Sequence, residues 1–208
     1  MAAYGRPALR DLFDDSPTPH IAHPPRTHHR DFYVATDGSF HDRGAGGLGV
    51  VIETRDGETV ARLSVPDSPP DNNVAEYRAL HLGLDVLAAR APDSARVGVV
   101  IDHDDLAANV NRAALALSAP EARPPHPFRV PAATDNHWRG IRARIGGFDE
   151  LRAARLDSGE NPAHPLANDP GSYAHLNGEP DRCVVPTTLA GDEQIPPPSR
   201  ANRPSGAD

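Results

Sequence analysis

Three acidic residues and one histidine are the strongest candidates for chemistry in this sequence. Asp37 and Asp102 each end a short apolar stretch, DFYVATD (31–37) and RVGVVID (96–102). Glu76 stands on the same helical face as the leucines at positions 80, 84 and 87. His164 stands in the segment ENPAHPLAND (160–169). A glutamate on an apolar face is costly to bury unless it is paired or bound to a metal.

Carboxylates that converge from separate elements would form a hard, oxygen-rich pocket. Such a pocket suits Mg²⁺ or Mn²⁺. Two such ions about 4 Å apart can activate a water and stabilise the leaving oxygen in phosphodiester hydrolysis. Simpler explanations stay open for each residue: Asp37 begins an ordinary Asp-Gly-Ser turn, Glu76 is favoured by the helix dipole, and Asp102 precedes helix-capping aspartates.

The elements that must position these residues alternate between strands and helices. The Asp56-Gly57 step between two apolar runs predicts a hairpin. The predicted order is β-β-β-α-β-α-α-β-α, which indicates an α/β fold with a five-stranded mixed sheet and helices on both faces. The strands are predicted at 31–37, 47–54, 58–65, 96–102 and 148–156, and the helices at 72–90, 104–117, 135–145 and after Pro165.

Composition separates a central domain from its flanks. With 38% hydrophobic residues and 23 prolines, the 208-residue chain is lean for one fully packed unit. We expect an N-terminal extension with a Pro/His-rich linker (1–30), a folded core domain (31–170) and a disordered C-terminal tail (171–208). The glycine-rich stretch GAGGLG (44–49) leads into a strand, so it does not predict a dinucleotide-binding loop.

Charge and cysteine content limit the possible environments. The net charge is −8, and arginine supplies every basic residue because the chain has no lysine. This surface fits a salt-rich cytoplasm, although a GC-rich genome would also favour arginine and alanine. A single cysteine excludes an intrachain disulfide. No apolar run approaches the ~20 residues of a membrane span, and no signal pattern is visible, so we expect a cytoplasmic protein without a membrane partner.

Several motifs together resemble the type 1 ribonuclease H family over residues 31–170. They are TDGS (36–39), the glycine-rich strand GAGGLGVVIE (44–53), NNVAEYRAL (72–80), the strand that ends at Asp102, and NPAHPLAN (161–168). The resemblance implies a ribonuclease H-like α/β fold. It also implies hydrolysis of the RNA strand of RNA–DNA hybrids with two divalent ions, Mg²⁺ or Mn²⁺.

The resemblance also implies roles for individual residues. Asp37, Glu76 and Asp102 correspond to metal ligands that are also catalytic. His164 stands where the family usually has a fourth carboxylate, and its imidazole would complete the set. The Gly38-Ser39 backbone and Asn73 would contact the minor groove of the hybrid, where the 2′-hydroxyl distinguishes RNA from DNA.

Two departures from the family pattern affect these assignments. Asp71 replaces a small hydroxyl residue and would repel a nearby phosphate. An alignment through LAANV (106–110) would place His103 instead of Asp102 at the third ligand position, although the strand pattern favours Asp102. Imidazole is a softer ligand than carboxylate, so His164 should shift the metal preference from Mg²⁺ towards Mn²⁺.

The leading hypothesis is therefore a metal-dependent, hybrid-specific endoribonuclease of a salt-adapted cytoplasm. The alternative is a non-catalytic nucleic-acid-binding module that kept the fold and lost the active site. A third hypothesis is an adaptor that docks on a DNA sliding clamp. It depends on RPALRDLF (6–13), in which Leu9, Leu12 and Phe13 resemble the apolar end of a peptide that binds such a clamp.

Overall fold

A five-stranded sheet forms the centre of the computed structural model, which describes residues 6–41, 46–118 and 127–178. Its order is β3-β2-β1-β4-β5. The first three strands form an antiparallel meander, and β4 and β5 continue the sheet in parallel with β1. The mixed five-stranded sheet predicted from the sequence is confirmed. The strands are β1 (Phe32–Phe40), β2 (Gly46–Thr54), β3 (Thr59–Asp67), β4 (Arg96–Ile101) and β5 (Glu150–Arg155).

Helices cover both faces of this sheet. The α-helices are α1 (Leu9–Asp15), α2 (Asn72–Ala88), α3 (Asp104–Ser118), α4 (Asp135–Ile145), α5 (His164–Asn168) and α6 (Pro170–Tyr173). Alternate residues of β1 point to opposite faces, so Val34 joins the core under α2, α3 and α4, while Tyr33 and Ala35 join the core under α1 and α5. Because successive side chains of the strand alternate between the two faces, apolar residues of β1 contribute to two hydrophobic cores, one on each side of the sheet.

The N-terminal helix α1 belongs to the second core. Leu9 and Phe13 are fully buried, and the Phe13 ring meets Tyr33 edge-on at 5.7 Å. The backbone N–H of Leu9 donates to Glu53 Oε2 at 2.9 Å, and Arg6 forms an ion pair with the same carboxylate. The sequence suggested that this segment docks on a sliding clamp, but two of its three apolar side chains, Leu9 and Phe13, are already buried in the protein's own core, and Leu12 is partly buried against it. Helix α1 is thus packed against strands β1 and β4.

The first residues assigned to the C-terminal tail also contact the sheet. The side chain of Asn177 accepts a hydrogen bond from the Ser64 N–H at 2.9 Å and donates to the Ser64 carbonyl at 2.6 Å. Asn177 lies in a 3₁₀ helix, Ala174–Gly178, and its amide satisfies the open edge of β3. The predicted disorder of the remaining tail, 179–208, concerns residues outside those that the structure describes.

Within the described ranges, every helix is too short or too polar to cross a lipid bilayer.

Candidate metal centre

Asp37, Asp102 and His164 meet at one edge of the sheet. Asp37 lies in β1 and Asp102 directly follows β4, and these neighbouring strands are parallel, so the two aspartates stand side by side. His164 begins α5. One potential ligand atom from each residue lies within 4.8 Å of the other two. Asp37 Oδ2 and His164 Nδ1 are 3.2 Å apart. Three of the four residues that the sequence suggested as ligands thus form one group.

Glu76 lies beside this group on α2 and is almost completely buried. Burial and the negative charges of Asp102 and Asp37 raise the pKa of Glu76 well above its usual value. Gly38 explains how α2 comes so close to β1. A Cβ at position 38 would lie 2.2 Å from the backbone carbon of Ala75, so only glycine allows this contact. The close approach brings Glu76 to the acidic edge.

The carboxyl groups in this pocket are short of partners. Asp37 Oδ2, Glu76 Oε2 and Asp102 Oδ1 are buried, and none of them accepts a hydrogen bond of regular geometry in the described part of the chain, although His164 Nδ1 lies 3.2 Å from Asp37 Oδ2. Burial first, and then the charge of Asp102, raise the pKa of Asp37 to about 8. Buried oxygens in this state are suited to a hard divalent cation, which would offset both their desolvation and their mutual repulsion. The donor set therefore fits the metal that the sequence motifs imply.

Glycines in β2 allow α5 to carry His164 to this edge. A Cβ at Gly49 would lie 2.2 Å from the Ala163 carbonyl oxygen, and one at Gly47 would lie 2.5 Å from that of Ala167. The backbone of α5 therefore rests directly on the strand. The alternating glycines of GGLG, which do not form a dinucleotide loop, serve this close approach.

Asn161 fixes the loop before His164 and was not among the predicted site residues. Its Nδ2 donates to the Thr36 carbonyl of β1 at 2.9 Å, and its Oδ1 accepts from the Ala163 N–H at 3.0 Å. The residue is buried, so both bonds are protected from water. Asn161 stands in the NPAHPLAN motif, but the sequence does not show which residue it touches. We regard it as a positioning residue for His164.

The residues predicted to contact nucleic acid differ in exposure. Asn73, in the first turn of α2, is exposed. Gly38 and Ser39 are buried. The Ser39 hydroxyl donates to the Ala167 carbonyl at 2.7 Å and accepts from the Gly47 N–H at 3.0 Å, so it joins α5 to the sheet. The structure thus gives Gly38 and Ser39 an internal packing role, and it presents only Asn73 to solvent.

Asp71 and His103, which raised doubts in the sequence, both cap helices. Asp71 is the N-cap of α2, where its side chain accepts from the Val74 N–H at 2.8 Å. His103 lies outside the group formed by Asp37, Asp102 and His164, and its Nε2 is 2.8 Å from Asn73 Oδ1. The geometry therefore places Asp102, and not His103, among the converging carboxylates.

Known proteins resemble this chain in structure. No protein-family model matches the sequence, and no curated protein matches it. The N-terminal RNase H domain of Rv2228c from Mycobacterium tuberculosis is 23% identical, with a TM-score of 0.50; the match covers 66% of this chain and 96% of that one. LC11-RNase H1, isolated from compost by a metagenomic approach, is 21% identical, with a TM-score of 0.53 over 70% of this chain and 99% of that one.

The structure of LC11-RNase H1 in complex with an RNA/DNA hybrid also matches, with 21% identity and a TM-score of 0.51 over 69% of this chain and 99% of that one. Identities this low establish a common fold and leave activity open. The strand order, the helices on both faces and these structural matches agree with one another. The chain therefore has the ribonuclease H-like fold, as its sequence motifs predicted.

Proposed function

We propose that this protein is a metal-dependent endoribonuclease that hydrolyses the RNA strand of RNA–DNA hybrids. One observation carries the proposal: three carboxyl groups, each with one buried oxygen, converge beside His164 at the edge of a ribonuclease H-like sheet. Unpaired buried charge is costly to a fold, so its concentration at one place favours a functional site.

The four residues would divide the work of holding two divalent ions. Asp37 would contact both ions, Glu76 and Asp102 would each hold one, and His164 would complete the second. Bound ions would supply an activated water and stabilise the leaving oxygen of the phosphodiester. Because imidazole is neutral and softer than a carboxylate, we expect Mn²⁺ to support more activity than Mg²⁺.

Recognition of the hybrid would depend on local contacts and not on overall charge. The net charge of −8 opposes approach to a polyanion. The bound ions would lower the negative charge of the pocket, and the exposed Asn73 would contact the minor groove of the hybrid. High salt would screen the remaining repulsion, so we expect activity to persist at high ionic strength.

Cleavage of a labelled RNA–DNA hybrid tests this proposal. Mn²⁺ and Mg²⁺ are titrated separately in high salt with the wild-type protein and with Asp37→Asn. We expect cleavage that falls in the variant by more than about a hundredfold, since groups that merely support a metal ligand already cost up to that much. Asp56→Asn is the matched control. Asp56 is exposed in the turn between β2 and β3, at the end of these strands that lies away from Asp37.

Two results would overturn the proposal. Cleavage that survives in Asp37→Asn would place the chemistry elsewhere. Hybrid binding without cleavage under either metal would instead support the non-catalytic module, in which His164 marks a lost active site.

A further inference from the structure

His103 caps the start of α3 with its ring. Its Nδ1 accepts a hydrogen bond from the Leu106 N–H at 3.2 Å, and its carbonyl accepts from the Ala107 N–H at 3.0 Å. A backbone N–H can only donate, so Nδ1 carries no hydrogen in this arrangement. In the neutral ring the hydrogen must then lie on Nε2.

The Nε2 hydrogen determines the orientation of the Asn73 amide. His103 Nε2 lies 2.8 Å from Asn73 Oδ1, so the ring donates and the amide oxygen accepts. The flipped amide would place its NH₂ group against the ring N–H, which would leave two donors facing each other. The NH₂ group of Asn73 therefore points away from His103. In the described part of the chain it has no hydrogen-bond partner, and Asn73 is exposed.

Buried neighbours hold this pair in place. The His103 ring meets the Tyr77 ring edge-on, with centroids 6.3 Å apart and an interplanar angle of 84°. Tyr77 is fully buried, and its hydroxyl accepts from Asn109 Nδ2 at 3.1 Å. Asn73 and Tyr77 belong to α2, and Asn109 belongs to α3. The contact thus joins the beginnings of two helices that have a common core.

We propose that His103 is a positioning residue that orients Asn73 so that its amide hydrogens face an acceptor atom in the minor groove of an RNA–DNA hybrid. This inference rests on the proposed function and specifies how Asn73 would act. The minor groove offers the 2′-hydroxyl oxygen and the base acceptors N3 and O2. An amide that is already oriented loses less conformational freedom on binding, which corresponds to about two- to tenfold in affinity.

A variant that keeps the helix-capping role of residue 103 but removes its contact with Asn73 tests the proposal. In His103→Asn, the shorter side chain still caps α3, because asparagine is a good N-cap, but it does not extend to Asn73. We expect the KM for a short labelled hybrid to rise about two- to tenfold, with kcat nearly unchanged. The dissociation constant for the hybrid without divalent ions should rise by the same factor, so the test does not depend on cleavage.

A double-mutant cycle shows whether His103 acts through Asn73. Asn73→Ala should weaken binding by itself, and His103→Asn should add nothing in the Asn73→Ala background. Additive effects of the two substitutions, or a lower kcat with unchanged KM in His103→Asn, would overturn this inference and leave the nuclease proposal intact. A wild-type protein that does not bind the hybrid would overturn both.

Discussion

Helix α2 carries two buried acidic residues with opposite surroundings. Glu76 near its start and Asp85 near its end are almost equally buried, at 4% and 5% exposure. Asp85 Oδ1 accepts from Arg144 Nε of α4 at 2.5 Å, and His81 lies 3.6 Å from its other oxygen. Glu76 faces the carboxyl groups of Asp37 and Asp102 instead. His137 of α4 lies beside His81, with their Nδ1 atoms 3.4 Å apart. We call the first set (Asp85, Arg144, His81 and His137) the ionic cluster, and the second (Asp37, Glu76 and Asp102) the carboxylate cluster.

The two sets contrast a buried charge that is paired with an opposite charge and a buried acidic group that lies among other acidic groups, on the same helix. The ionic cluster joins α2 to α4 and balances a buried negative charge with a buried positive one. The carboxylate cluster concentrates charges of one sign, and burial raises the pKa values of Asp37 and Glu76. Folding gains nothing from such repulsion, so the cluster is explained better by the capacity to bind a cation, as proposed above, than by stability.

The largest expected difference is between Asp85→Asn and Glu76→Gln. Asp85→Asn leaves the buried Arg144 without its carboxylate, and we expect the free energy of unfolding to fall by about 3 kcal/mol. Glu76→Gln removes repulsion, so without divalent ions it should leave stability unchanged or raise it. Urea unfolding in the presence of a chelator measures both. If Glu76→Gln is as destabilising as Asp85→Asn, the carboxylate cluster stabilises the fold just as the ionic cluster does, and the proposed difference between the two clusters is wrong.

Asn161 and Asn111 provide a sharper pair of variants. Each is a buried asparagine whose amide bridges two segments, and Asn111 of α3 pairs with both backbone groups of Ala153 at 2.8 Å. Both alanine variants should lose about 1–2 kcal/mol of stability. Only Asn161→Ala should also weaken Mn²⁺ binding, because only Asn161 positions His164. Calorimetric titration with Mn²⁺ checks this, and equal Mn²⁺ affinity in the two variants would contradict the positioning role.

The two clusters should respond to pH in opposite directions. The folded-state pKa of Asp37 is raised to about 8, so the folded protein holds a proton that the unfolded chain releases, and metal-free stability should fall as pH rises from about 4 towards 8. Burial lowers the pKa values of His81 and His137 to about 4. The unfolded chain then binds more protons, so this contribution is lost as pH falls from about 6.5 towards 4.

Urea unfolding without metal between pH 4 and 8.5 would detect both slopes. Asp37→Asn should flatten the decline above pH 6.5, and His137→Gln should reduce the loss on the acidic side. A decline above pH 6.5 that is unchanged in Asp37→Asn would show that the Asp37 carboxyl does not cause it.

The smallest expected effect is the pH dependence of metal stabilisation. Cations compete with protons for the carboxylate cluster, so Mn²⁺ should raise the melting temperature more at pH 8 than at pH 6. Asp85→Asn should retain this difference, since the ionic cluster takes no part in it. Thermal melts with and without Mn²⁺ measure the effect, and a shift that does not depend on pH would indicate binding to groups other than these carboxyls.

Local patterns predicted much of the fold and part of the site. The order of the strands and helices followed from apolar periodicity, because each element must bury one face. Asp37 and Asp102 were identified because each follows an apolar run. The prediction that the first strand ends at Asp37 was wrong, since β1 continues to Phe40, but the parallel pairing of β1 with β4 still sets the two aspartates side by side. The role of Asn161 was missed, because its partner Thr36 lies 125 positions away in the sequence and no local pattern shows that contact.

The sequence by itself determined the order of strands and helices along the chain, the glycines that permit close approach and the carboxyl groups available for a metal. These depend on side-chain type and short-range spacing. Only the tertiary structure decided that Asp102 and not His103 joins the cluster, that Ser39 is buried, and that Leu9 and Phe13 complete a core. Those outcomes depend on which distant segments of the chain pack together. The same packing determines whether a buried charge is paired with an opposite charge or lies among like charges.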